Sequence, residues 1–351
     1  MKIILDAMGG DNAPQAPVLG AIEAVKRYNA DIILVGRGQE ILEVLKKNGL
    51  DTLPEGVEIA HADDVVDMHD DPASVIHKRK NSSMIIGLKM LADGKGDAFV
   101  SAGSTGALLT GATLLVKRVR GIRRAAMAPA MPTKAGTKVI ICDCGANAEC
   151  TPEFLLQFAF MGSYYAERVL GKPEPRVGLL NIGVEASKGT DLQREAYVLL
   201  QKAADEGRIN FAGNIEGREA MEGAVDVIVC DGYSGNVFLK TIEGTGIFLG
   251  HEIKKMFLKS FKTKLAALLM KDQLKEFKKL MDVSEVGGTA LMGISKPVVK
   301  AHGSSDARAF KNAIRQAVEY KKAGIIEDIT ENVEYMRLPV HSLNEQASDG
   351  E

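Results

Sequence analysis

The chain has 351 residues, 46% hydrophobic and 26% charged, with 36 Gly, no Trp and 5% aromatic residues, which is a soluble globular composition. That excludes a collagenous, disordered or disulfide-stapled chain, and the length suits two domains or one large α/β domain. Lys and Arg number 44 against 46 Asp and Glu; the net charge of −2 gives no global attraction to nucleic acid, so any basic partner surface must be local.

In chain order, short apolar or β-branched runs at 2–6, 31–35, 57–60, 97–101, 138–143, 176–182, 210–212, 225–230 and 298–301 predict strands. Helical patterns fall between them, at 15–28, 39–47, 82–92, 106–118, 152–170, 192–205 and 306–322. Strands this continuous belong in a sheet covered on both faces, and the alternation predicts a mostly parallel, doubly wound α/β sandwich. The uncharged stretch 98–116 has the length of a membrane span, but Gly103-Ser104-Thr105-Gly106 in its first half makes it a strand, a glycine loop and a helix. Pro129, Pro132 and Gly136 mark an irregular stretch. Thr151-Pro152-Glu153 then supplies an N-cap, a first-turn proline and a first-turn acid. The stiff Gly171-Lys172-Pro173-Glu174-Pro175 connector suggests two lobes dividing near 171–175 within a domain spanning 1–343. A disordered tail is expected over 344–351.

Cys142, Cys144, Cys150 and Cys230 are the only cysteines, and no secretory pattern opens the sequence, so a reduced, cytoplasmic protein is expected. Their spacing lacks a second pair or matching histidines, which disfavours zinc, while a nucleophilic cysteine needs a basic partner that spacing cannot place.

One arrangement repeats. An apolar strand ends in Gly, Ser, Thr, Asn or Asp and a helix begins, at DAMGGDNAP (6–14), SAGSTGA (101–107), DCGANAE (143–149), NIGVEASKGTD (181–191), CDGYSGN (230–236) and AHGSSDA (301–307). In a parallel sheet these loops share the C-terminal edge, where free helix N–H groups receive oxyanions. Gly103, Ser104, Thr105, Gly106, Asn147, Ser304 and Ser305 are therefore candidate substrate-binding residues. None of the loops is a Walker A motif or an opening G-x-G-x-x-G, and no G-x-S-x-G elbow occurs. Lys188 is the cation best placed to neutralise a phosphate or polarise a carbonyl, and His302 is the histidine at a strand end. The acidic run of Asp63, Asp64, Asp67, Asp70 and Asp71 lacks EF-hand spacing and reads as caps and a solvated face.

Two segments are locally basic. Residues 117–124, KRVRGIRR, carry five positive charges and no negative one. Residues 252–281 form an amphipathic helical insertion, with Phe257, Phe261, Leu265 and Leu268 on an apolar face and lysines around it. Such a stretch suits an anionic membrane surface, or packing on the core or a dimer partner.

Together MKIILDAMGGDNAP, KRKNSSM, SAGSTGALLT, GLLNIG, DGYSGNVFLKT and KAHGSSDA resemble the bacterial phosphate acyltransferases of phospholipid synthesis, the PlsX family, from Met1 to about Gln316. The resemblance implies transfer of a long-chain acyl group from acyl carrier protein to inorganic phosphate, giving acyl phosphate for a membrane glycerol-phosphate acyltransferase. It also implies a homodimer with the isocitrate/isopropylmalate dehydrogenase-like fold shared by phosphate acetyltransferases, working without cofactor or metal, and no nucleic-acid partner. On that reading Ser104 and Thr105 hold phosphate, Lys188 and Asn236 assist the anions or the thioester carbonyl, and His302 protonates or orients. Arg118, Arg120, Arg123 and Arg124 become the docking patch for the acidic carrier, and the enzyme rests peripherally on the membrane. A CoA-dependent phosphate acetyltransferase of the same fold is the alternative, while a nicotinamide-dependent dehydrogenase would need carboxylate and dinucleotide motifs that are not found.

Overall fold

The computed structural model describes residues 1–281 and 287–337, so the expected tail at 344–351 lies outside the described residues. The chain opens with β1 (Lys2–Asp6), α1 (Gln15–Tyr28), β2 (Asp31–Gly36), α2 (Gly38–Lys47), β3 (Val57–His61) and a short α3 (Val75–Lys78). Next come α4 (Ser83–Ala92), β4 (Ala98–Ser101) and α5 (Thr105–Gly111), which widens into a π-helix over Ala112–Val116. Short strands β5 (Ala126–Ala128) and β6 (Ala130–Pro132) lead to β7 (Lys138–Cys142), α6 (Pro152–Arg168), β8 (Arg176–Leu180) and α7 (Asp191–Asp205). Then follow β9 (Asn210–Ile215), α8 (Gly217–Glu222), β10 (Val227–Val229), α9 (Gly232–Leu258), α10 (Phe261–Leu269) and α11 (Lys271–Met281). The last elements are β11 (Thr289–Met292), β12 (Val298–Lys300), α12 (Ala307–Lys322) and α13 (Ile325–Glu331).

Two sheets result, one of seven strands in the order β3-β2-β1-β4-β12-β11-β5 and one of five in the order β6-β7-β10-β8-β9. Only β11 and β6 run against their neighbours, so the doubly wound, mostly parallel sandwich expected from the alternation is what forms. Central strands are apolar on both faces because both are covered. In the register Ile3↔Ile32 and Leu5↔Leu34, side chains of one face meet a core shared with α1, α2 and α12. Ile4 and Ile33, on the other face, meet one built with α4, α5 and the π-turn. In the second sheet α6, α7 and α13 cover one face, and α8 with the base of α9 covers the other.

The expected division at 171–175 is corrected by this topology. That connector joins α6 to β8, and α6 packs on β7, β10 and β8 of one sheet. The chain instead crosses between sheets at Pro129, between β5 and β6, and returns after α11. The expected helix at 106–118 ends earlier, at Val116, because Lys117 takes a positive φ of 74°. The insertion at 252–281 is also not one helix: it is the end of α9, then α10 capped by Ser260, then α11. These three helices leave the body, since α9 buries only Gly232 and Gly235 and α10 buries nothing.

Candidate active site

The first sheet ends in three loops, two tied to one carboxylate and the third tied to the first of them. Asp6, at the end of β1, is 1% exposed; it accepts from Ser83 Oγ at 2.6 Å, Ser101 Oγ at 2.7 Å and the Met8 N–H at 3.2 Å. Burial pushes its carboxyl above the usual range, against the pull of those donors. Ser101 Oγ in turn accepts the Gly103 N–H at 3.0 Å, which fixes the turn leading to Ser104 and Thr105. Asn12 Nδ2 donates to the Ser304 and Ser305 carbonyls, and the Asp11 N–H donates to the Gly303 carbonyl at 2.8 Å. The three loops close this tightly only over glycine: at Gly10, with φ +99°, a Cβ would lie 2.9 Å from both the Ala102 Cβ and the Gly303 oxygen.

This cluster carries much of the expected site. Ser104 is buried at the N-cap of α5 without a side-chain capping bond, Thr105 follows at the first helical position, and Gly103 and Gly106 flank them. His302 is exposed, and its Nδ1 accepts the Ser304 N–H at 3.3 Å and lies 2.8 Å from Ser304 Oγ. With Nδ1 accepting, a neutral ring carries its proton on Nε2, so His302 offers a donor outward. Ser305 Oγ is buried with no protein partner.

The second sheet repeats the plan with a different carboxylate. Asp143 follows β7, is fully buried, and accepts from the N–H groups of Met127, Cys144, Ala146 and Asn147 and from Asn147 Nδ2. Its bond to Met127 of β5 ties the second sheet to the first. Desolvation raises its carboxyl too, with the same donors pulling it back. The N-terminus of α9 rests on this loop so closely that a Cβ at Gly235 would fall 2.0 Å from the Asp143 oxygen. Asn147 spends both amide hydrogens on Asp143 and the Ala125 carbonyl, so it positions loops rather than offering donors to substrate. Asn236, one turn into α9, is exposed over Gly145. Lys188 is exposed on the loop after β8, with its N–H on the Glu185 carbonyl and its own carbonyl taken by Asn181 Nδ2. No hydrogen bond or ion pair among the described residues joins Lys188 to Asn236 or His302. Lys240, two turns into α9, is exposed and pairs with Glu243 at 2.7 Å.

The cysteines are poor nucleophiles. Burial, then the neighbouring Asp143, pushes Cys142 well up, and burial is the main cause raising Cys230; Cys144 and Cys150 are pushed up to about 12. The acidic run is a scaffold, since Asp64 and Asp70 both accept from Arg79 and Asp71 caps a turn at Ser74. Among the described residues no group of His, Cys, Asp and Glu is arranged to hold a metal ion.

The expected arginine patch is divided. Arg118 is half-buried and donates to the Arg123 carbonyl, and Arg124 stacks 5.5 Å from the centre of the Phe154 ring. Arg120, Arg123 and Arg124 stay exposed. Phe261, Leu265 and Leu268 are 83%, 51% and 66% exposed and Phe257 is half-buried, so among the described residues nothing covers this apolar face. No described helix is long and apolar enough to cross a membrane.

Sequence reasoning passed over Asp6, Asp143 and Lys300, three of the buried charges at strand ends. The signal was present: each is a lone charge closing an apolar run, where burial forces a purpose on it.

Comparisons with known proteins agree with this architecture. A family model described as "Fatty acid synthesis protein" matches residues 1–328. The phosphate acyltransferase of Alkaliphilus oremlandii is 47% identical over 333 residues, covering 95% of this chain and 97% of that protein. That of Clostridioides difficile is 42% identical, covering 94% and 96%. Among solved structures, a phosphotransacetylase from Streptococcus pyogenes superposes with a TM-score of 0.60 at 19% identity, covering 93% of this chain and 94% of that one. The EutD phosphotransacetylase from Staphylococcus aureus does so at 0.58, with 19% identity and coverage of 92% and 94%. At such identity these two establish a shared fold alone, whereas the family match and the curated relatives span nearly the whole chain: it belongs to the fatty acid synthesis protein family of phosphate acyltransferases and is an acyltransferase.

Proposed function

We propose that the enzyme transfers a long-chain acyl group from the thioester of acyl carrier protein to inorganic phosphate, releasing acyl phosphate for phospholipid synthesis. The observation that carries this reading is a pair of strand-end loop clusters on two sheets tied by the Asp143–Met127 bond, with an outward donor at His302, while the thiols are suppressed. With no ready thiolate, direct attack is favoured over an acyl-cysteine. A phosphate oxygen adds to the thioester carbonyl, the tetrahedral oxyanion collapses, the C–S bond breaks, and the carrier leaves as its thiol. Ser104 and Thr105 hold phosphate, Lys188 and Asn236 face the carbonyl oxyanion, the Nε2–H of His302 orients the departing sulfur, and the proton that monohydrogen phosphate gives up on forming the acyl–oxygen bond ends on that sulfur. Arg120, Arg123 and Arg124 offer an acidic carrier a surface that bare acyl-CoA does not need. Purified enzyme given acyl carrier protein thioester should release thiol only when phosphate is added. Phosphate-independent release, or equal turnover with acyl-CoA, would overturn the reading.

The uncovered apolar face of α9 and α10 favours peripheral association with anionic membrane, which would hand a lipophilic product to a membrane glycerol-phosphate acyltransferase. Lysines at 254, 255, 259, 262 and 264 surround that face, each worth roughly 1 kcal/mol close to an anionic surface. Leu265→Glu should then lose flotation with anionic vesicles yet keep activity on soluble substrate. Equal flotation of both proteins would assign the face to a second copy in a homodimer instead.

A further inference from the structure

Lys300 is the last residue of β12 and is 8% exposed. Its Nζ donates to the Ala301 carbonyl and, at 3.3 Å, to that of Ala102, so it reaches the ends of two adjacent parallel strands, β4 and β12. Among the described residues the third N–H has no acceptor. No carboxylate lies within ion-pair distance of it among the described residues, and both oxygens of Asp6 are engaged by Ser83, Ser101 and Met8. An ammonium buried on carbonyl dipoles alone is costly, by several kcal/mol in general, unless an anion joins it. The charges around it are Asp6 of β1, Asp11 of the next loop and Lys240 of α9; β4 contributes only neutral Ser101 and the Ala102 carbonyl. The buried ammonium therefore lies at the end of β4, whose following loop holds Ser104 with its hydroxyl uncommitted to capping.

We propose that Lys300 binds the acceptor phosphate, its third N–H taking one phosphate oxygen at the floor of the first cluster. This rests on phosphate being the acceptor, and it places the nucleophile on the first sheet and the thioester against the second. Desolvation supports the assignment, holding the lysine down to about 8, where an arriving dianion would restore its proton.

Two measurements on the whole enzyme test it. Lys300→Met should raise the phosphate KM at least tenfold and leave the thioester KM within twofold, with Lys300→Arg recovering part of the loss. A purely structural lysine would lower melting temperature and kcat without moving the phosphate KM. The second needs no variant: phosphate should raise the melting temperature of the wild type, and that shift should shrink about tenfold in apparent affinity from about pH 7 to about pH 9 as Lys300 loses its proton. Phosphate stays doubly charged toward the upper end of that range, so its own titration cannot weaken binding. An unchanged phosphate KM in Lys300→Met, or a phosphate shift flat with pH, would overturn the assignment. Wild-type turnover indifferent to phosphate would instead sink the acceptor reading, and a pH-dependent phosphate shift would still mark Lys300 as an anion site.

Discussion

The two sheets close on the same device, a buried aspartate at a strand end, and use it differently. Asp6 is held mainly by two side-chain hydroxyls and has a buried lysine near it, whereas Asp143 is held mainly by main-chain N–H groups and has none. Hydroxyls can turn to accept from another group, while amide N–H groups in a fixed turn cannot. The first cluster can therefore adjust its charge around a ligand, and the second is a clamp that holds sheet to sheet and α9 to both.

The sharpest way to break this contrast is Asp143→Ala. It strips the acceptor from several buried N–H groups at once and should cost about 3 kcal/mol of stability or more, read from urea unfolding. A loss under about 1 kcal/mol would mean that the amides find other acceptors and the clamp is not one.

Lys188→Ala belongs to the second sheet but lies outside its clamp, so its effect should fall on rate alone. Turnover should drop at least about tenfold, near 1.4 kcal/mol, with unfolding unchanged, and Lys188→Arg should rescue poorly because a planar fork does not replace a compact ammonium. Full activity in the alanine variant would return Lys188 to the solvated surface.

Asp6→Asn sharpens the contrast through pH. The folded-state carboxyl sits above its unfolded value, so the fold holds that proton more tightly and the stability it contributes is greatest in acid. It is lost as pH rises from the ordinary carboxylate value through the raised one. The asparagine variant should cost about 1 kcal/mol or less and show a shallower fall across that window. Asp143, raised for the same reason, keeps its own share of the slope. An unaltered slope would show that Asp6 does not titrate there.

The smallest effect is expected outside both clusters. Reversing Arg123 and Arg124 should raise the KM for carrier-borne substrate a few-fold and weaken its salt dependence, with the phosphate KM unmoved. Equal KM values at low and high salt in wild type and variant would leave those arginines without a role in docking.

Where hydrophobic runs were long and unbroken, the sequence was readable to the residue: β1 and α1 have the predicted limits. It failed where packing overrode a local signal. Pro129 and Pro132 looked irregular, yet they sit between and at the end of β5 and β6, short strands at sheet edges where a missing N–H is tolerated. The start of α9 was marked by the turn at 230–236, but its length was hidden because Gly244, Gly246 and Gly250 interrupt the pattern and only the part after Glu252 read as an amphipathic helix. Ser104, Thr105 and His302 were legible from their glycine loops. Which loops face each other was not, because that depends on the crossing at Pro129 and on the Asp143 bond to Met127.

Those same glycines give α9 a graded stiffness along its roughly 40 Å. Its root is pressed onto the Asp143 loop at Gly232 and Gly235, and the part beyond Gly246 carries Ile247, Phe248, Leu249, Met256 and Leu258 into the open. Each glycine between them gives up about 1 kcal/mol of helical preference relative to alanine, so bending and fraying are cheapest midway along the rod. That outer part can thus swing to suit whatever surface it rests on, while Asn236 and Lys240 stay in place below. The helix works as a flexible coupling rather than a lever.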